Sequence, residues 1–141
     1  MSSGSATPLA RKLGIRDDAR VHLDGAPPRF EEGLEELPTG VELLRRARRP
    51  VDVVVCFCPD RRRLEQRLPR MIELLEPDGG LWIAWPKRSS DLATDLAFDV
   101  VQAAGLASGL VDNKVCAVDD TWSALRFVYR LADRPGESET R

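Results

Sequence analysis

The sequence predicts an α/β domain built on a mostly parallel sheet and closed by an antiparallel hairpin. Three observations carry that prediction. Val51–Cys58 (VDVVVCFC) and Leu81–Trp85 (LWIAW) are short and nearly all apolar, the pattern of strands covered on both faces. Segments with helical spacing alternate with strands, which implies parallel neighbours joined by crossovers. Finally, Leu110–Val118 and Ser123–Leu131 alternate and are linked only by Asp119-Asp120-Thr121-Trp122, short enough for a hairpin.

The elements follow in order. Thr7-Pro8 reads as a cap and first helical residue, opening a short helix over Pro8–Leu13 that stops at Gly14. Arg20–Asp24 (RVHLD) alternates and is the first strand; Gly25-Ala26-Pro27-Pro28 breaks it. Phe30–Leu37 is expected as a short helix ending before Pro38. Val41–Leu44 reads as a short strand. A helix stays open there, because a parallel crossover to the next strand normally needs a dozen or more residues.

After Val51–Cys58, Asp60 can cap a helix with Leu64, Leu68, Met71 and Leu75 on one face. Pro69 inside it predicts a kink or two shorter helices. Pro77-Asp78-Gly79-Gly80 is a turn into Leu81–Trp85. Asp91–Ala104 is expected to be helical, with Leu92, Leu96, Val100 and Ala103 or Ala104 inward and Gly105 ending it.

The chain has 141 residues, 43% hydrophobic and 31% charged, enough for one domain that buries about two-thirds of its unfolded surface. The expected domain spans 7–132, with 1–6 and 133–141 as disordered flanks. Net charge is −2, which argues against a dedicated nucleic-acid binder. No apolar run approaches the roughly 18 residues of a membrane span. Three cysteines, Cys56, Cys58 and Cys116, and no export signal point to reduced thiols in a cytoplasm. The clusters Arg45, Arg46, Arg48, Arg49 and Arg61, Arg62, Arg63 read as solvated faces, with anion or partner binding, to another protein or in a homodimer, as the alternative.

Leu74–Trp85 (LLEPDGGLWIAW) resembles a stretch of Rossmann-like methyltransferases, and the closing helix–strand–strand order resembles the end of that fold. A second resemblance, to the bacterial domain of unknown function 3052 family, covers nearly the whole chain. It rests on Trp85-Pro86-Lys87-Arg88-Ser89-Ser90, on Thr94-Asp95-Leu96, and on the run from Gly109 through Asp112-Asn113-Lys114 to Trp122-Ser123. It brings no activity with it.

The first resemblance implies a glycine-rich cofactor turn after the first strand and an acidic residue after the second. Here the first strand runs into Asp24-Gly25-Ala26-Pro27-Pro28, and proline offers no N–H to a ligand. The second ends in Arg45-Arg46. No S-adenosylmethionine, no nicotinamide dinucleotide and no other cofactor is therefore expected. The expected function is a non-catalytic binding or regulatory module on a degenerate methyltransferase-like scaffold. The alternative is an atypical enzyme acting at the carboxyl edge of the sheet.

Ligands of open α/β sheets sit at that edge. It gathers Trp85, Lys87, Ser89 and Ser90 on one side and Asp119, Asp120 and Trp122 on the other, the candidate ligand site. Lys87 with the two serines can bind a carboxylate or phosphate, and the indoles can stack on a ligand. The same residues also serve as loop caps, turn formers and core lids. Cys56 and Cys58 share a strand face as core thiols, poorly placed to pair, and all three cysteines are expected buried. With His22 the only histidine, no metal site is expected.

Overall fold

The computed structural model describes residues 7–133. The expected disorder of 1–6 and 134–141 lies outside them. Asp133 is described, and it ends a 3-10 turn over Leu131–Asp133.

Strands β1 (Arg20–Asp24), β2 (Glu42–Leu44), β3 (Val51–Phe57), β4 (Leu75–Pro86), β5 (Leu110–Ala117) and β6 (Trp122–Tyr129) form one sheet in the order β2-β1-β3-β4-β6-β5. The first four are parallel; β6 is antiparallel to both β4 and β5. The sheet is thus mostly parallel with an antiparallel pair, as the sequence predicts. Val41–Leu44 resolves as a strand. It pairs with β1 as the edge of the parallel sheet, so the short link to β3 passes over β1.

Helices α2 (Arg61–Leu74) and α3 (Phe98–Ala107) cover one face, on Val54, Cys56, Leu81, Ile83, Leu125 and Phe127. The other face carries Val53, Val55, Phe57, Trp82 and Ala124. It is covered by the short α1 (Leu9–Lys12), Leu13, Ile15, Phe30 and Leu34. The Trp82 indole N–H donates to Leu13 O at 3.0 Å, tying that cover to the sheet centre.

Four elements differ from the sequence expectation. Phe30–Leu37 shortens to a 3-10 turn over Phe30–Gly33. Helix α2 runs unbroken through Pro69, which lies on the exposed side, where water can satisfy the carbonyl that proline leaves unbonded. Pro77–Gly80 is an irregularity inside β4. Leu75 pairs with Val51 and Gly80 with Val53, so the extra residues bulge out without ending the strand.

Helix α3 begins at Phe98 instead of Asp91. The Ser90 and Thr94 hydroxyls accept from Leu92 N and Leu96 N, local bonds that compete with helix. Leu92 is therefore exposed; Leu96, Val101 and Gly105 are buried, and Val100 and Ala104 pack against the same core, as expected. Gly105 sits inside the helix; the left-handed Gly109 (φ 91°) follows its end.

Candidate functional site

At the carboxyl edge, β1 delivers Asp24, buried at 6% exposure. Arg67 of α2 forks onto it, Nε to Oδ2 at 2.9 Å and Nη2 to Oδ1 at 2.6 Å. Arg63, one helical turn earlier, reaches Oδ2 at 3.6 Å, and the Cys56 thiol donates to the same oxygen at 3.4 Å. Burial alone would raise this carboxyl. Contacts with His22, Arg67 and Cys56 outweigh it and hold the group well below the usual carboxylate range.

His22 is fully buried beside it. Its Nδ1 bonds Leu44 O at 3.0 Å, while Nε2 stands 3.6 Å from Asp24 Oδ1 without a hydrogen-bond partner.

The turn after β1 is closed by the chain's own side chains. Gly25 takes φ 68°, and a Cβ there would meet Phe57 O at 3.2 Å and Arg63 Nη2 at 3.4 Å. Arg45, at the end of β2, donates to Ala26 O at 3.0 Å and Pro27 O at 2.9 Å, and pairs with Glu31. Phe30 then lies edge-on to Phe57, with centroids 5.0 Å apart. A guanidinium thus stands where the methyltransferase resemblance implies an acidic residue, and it is engaged by the turn.

The predicted ligand residues divide. A cleft of about 590 Å³ opens beside the end of β4, lined by Trp85, Lys87, Arg88, Leu92, Asp95 and Phe98. Trp85 and Phe98 form an edge-to-face wall, centroids 6.4 Å apart. Among the described residues Lys87 and Arg88 make no salt bridge. Asp95 is engaged, accepting from Arg61 N at the start of α2 at 2.8 Å. Ser89 lies outside the cleft lining, and the Ser90 hydroxyl donates to Lys87 O at 2.8 Å as a loop cap.

The hairpin link reaches the same edge: Lys87 N donates to Thr121 O at 2.7 Å. Its side chains diverge from the cleft. Asp119 Oδ1 accepts from Thr121 N and Trp122 N, closing the turn, and Asp120 is exposed outside the cleft. Trp122 packs on Phe57 on the opposite face, centroids 5.1 Å apart. The reason is period-two alternation. Trp122 pairs with Pro86, so it shares Pro86's face and not that of Trp85. The expected facing of cation and carboxylates across one pocket therefore does not form.

Sequence reasoning missed Arg88, Leu92, Asp95 and Phe98, because they sit in a segment it read as loop edge or inward helix. It also missed the Arg67–Asp24 fork. Its signal was two arginines four apart, beside Leu64 and Leu68 on α2.

The cysteines also split. Cys56 and Cys58 are buried with sulfurs 3.7 Å apart, so sharing a face brings the thiols into contact. Cys116 is only half-buried, because β5 is the sheet edge. The Cys58 sulfur and burial hold the Cys56 thiol well above its usual range; burial also raises Cys116. A maleimide should label Cys116 in the native protein, with Cys56 and Cys58 reacting only on unfolding. Mass spectrometry at intervals checks this, and rapid modification of all three would refute the packing. Among the described residues no cluster of three or more His, Cys, Asp or Glu is arranged to hold a metal, and no helix is long and apolar enough to cross a membrane.

No protein-family model matches the chain, and no curated protein matches it in sequence. Solved structures do match. DhpI in its SAH complex aligns with a TM-score of 0.61 at 13% identity, over 93% of this chain and 86% of that one. The DhpI–SAM–HEP complex gives 0.55 at 12% identity, over 89% and 86%. Ribosomal protein L11 methylase from Lactobacillus delbrueckii subsp. bulgaricus gives 0.54 at 10% identity, over 86% and 75%. The likeness is one of fold: the chain is an α/β protein with a methyltransferase-like Rossmann fold.

Proposed function

We propose that this chain is a small-molecule binding or regulatory module on the methyltransferase-like scaffold, with its ligand in the carboxyl-edge cleft. The single observation behind the reading is the sealed β1 corner, where Arg67 and Arg63 hold Asp24 and Arg45 holds the turn carbonyls. The cleft suits an anion with an apolar part. Lys87 and Arg88 supply charge, and Trp85, Leu92 and Phe98 supply the wall. We further propose that residues 7–132 act as one cytoplasmic domain of the domain of unknown function 3052 family. The strings around Trp85–Ser90 and Gly109–Ser123 support the family reading. With a net charge of −2, nucleic acid is not the proposed partner.

A second reading has a specific observation behind it. Two of the matched structures are SAH and SAM complexes. They favour the atypical methyltransferase over the module, and that enzyme would act at the same edge after the corner opens. Titration calorimetry with S-adenosylmethionine separates the two. The module predicts no binding heat up to millimolar ligand. A dissociation constant in the micromolar range or tighter would establish the enzyme reading instead.

A further inference from the structure

Arg126 occupies a position that the fold does not explain. In β6, Trp122 and Ala124 pack on the α1 side of the sheet, and Leu125 and Phe127 on the α2–α3 side. Alternation puts Arg126 on the α1 side, directly opposite Trp82 of β4. A guanidinium in the core-facing row of an inner strand is costly unless paired. Among the described residues no carboxylate forms a salt bridge with it.

The sheet nonetheless makes a seat for it. A Cβ on Gly80 would lie within 2.7 Å of Nε, Cζ and Nη2 of Arg126, so the guanidinium lies directly over Gly80 and a side chain there would displace it. From that seat Arg126 lines a cavity of about 790 Å³ at the amino edge, where Arg16 and Lys114 also stand. Burial, and after it the charge of Arg16, weaken the hold of Arg126 on its proton. Lys114 Nζ reaches only a backbone carbonyl, Lys12 O at 3.4 Å.

We propose that this amino-edge cavity is a binding site for a small phosphorylated anion, held by Arg126 and Arg16 with Lys114 completing the charge. Two planar guanidiniums match phosphate oxygens in a forked geometry, and a dianion offsets their mutual repulsion. The volume fits a small molecule. Four carboxylates, Asp17, Asp18, Asp52 and Asp78, also line the cavity; they disfavour an extended polyanion and leave room only for a small anion seated on the two guanidiniums. The site lies at the opposite edge from the carboxyl-edge cleft, so it stands apart from the proposed function.

The test titrates inorganic phosphate and pyrophosphate at constant ionic strength, read by thermal unfolding and calorimetry. Wild type should gain Tm beyond a chloride control. Arg126→Gln and Arg16→Gln should each weaken apparent affinity at least tenfold. The unliganded Arg126→Gln protein should melt no lower than wild type, because it loses an unpaired charge; if it fails to fold, Arg16→Gln and Lys114→Gln read the same affinity. Three results would overturn the proposal: no gain over chloride, an unchanged response in the Arg126 and Arg16 variants, or a response lost in Lys87→Ala, which would place the anion in the other cleft.

Discussion

Arg67→Ala should destabilise the protein by about 3 kcal/mol at pH 7, the order expected when one partner of a buried ion pair is removed. Asp24 is buried, and the Arg67 side chain is 28% exposed, so the pair is largely shielded from solvent. Arg63 remains at 3.6 Å and limits the loss. The effect must also depend on pH. In wild type the folded-state value of Asp24 lies below its usual 3.8. Its stabilisation is thus fully present above about pH 4 and is lost as pH falls toward the folded value. Without Arg67 two of the contacts that lower the folded carboxyl are gone, so it rises from its wild-type value and the variant binds its proton at higher pH. The gap between wild type and variant should narrow between about pH 7 and pH 3, with the change falling below about pH 4. Urea unfolding at both pH values checks this. An equal gap at both would assign the loss to packing and not to charge.

How much of this was readable in advance differs from one residue to the next. The strand Val51–Phe57 was legible because a buried parallel strand must be apolar on both faces, and few other structures tolerate that run. The hairpin was legible from its short link. The start of α3 was not, because Ser90 and Thr94 trade helical bonds for local ones, and helical spacing cannot report that choice. The candidate site was half legible. Trp85 and Lys87 follow from the end of β4, but Leu92, Asp95 and Phe98 join them only through the irregular loop between β4 and α3. Trp122 was placed at the correct edge and on the wrong face, since its face depends on its register with Pro86. Arg126 did leave a signal. In Trp122–Tyr129 it interrupts an otherwise apolar alternating row, and pairing with Trp82 turns that interruption into a half-buried charge.

Gly105→Ala should destabilise by about 2 kcal/mol, against the sign that helix propensity alone would give. In an exposed helix interior this change stabilises by about 1 kcal/mol, because glycine loses more backbone freedom than alanine. Gly105 is different. It is buried in α3, and a Cβ there would overlap the ring of Phe127, itself at 0% exposure on β6. Helix and strand backbones therefore approach as closely as they do only because this residue lacks a side chain. Phe127 sits among Leu81, Leu110 and Leu125, so the ring has little room to turn away. The helix must then move off the sheet, and overpacking of this kind costs about 1–3 kcal/mol, sometimes more. A compensating change gives the diagnostic control. Phe127→Leu alone removes ring atoms and leaves a gap; combined with Gly105→Ala it should be more stable than the sum of the two single losses. A double-mutant cycle by chemical unfolding measures that coupling. Simple additivity would mean that α3 does not rest on Phe127, and the close contact between α3 and β6 would be wrong.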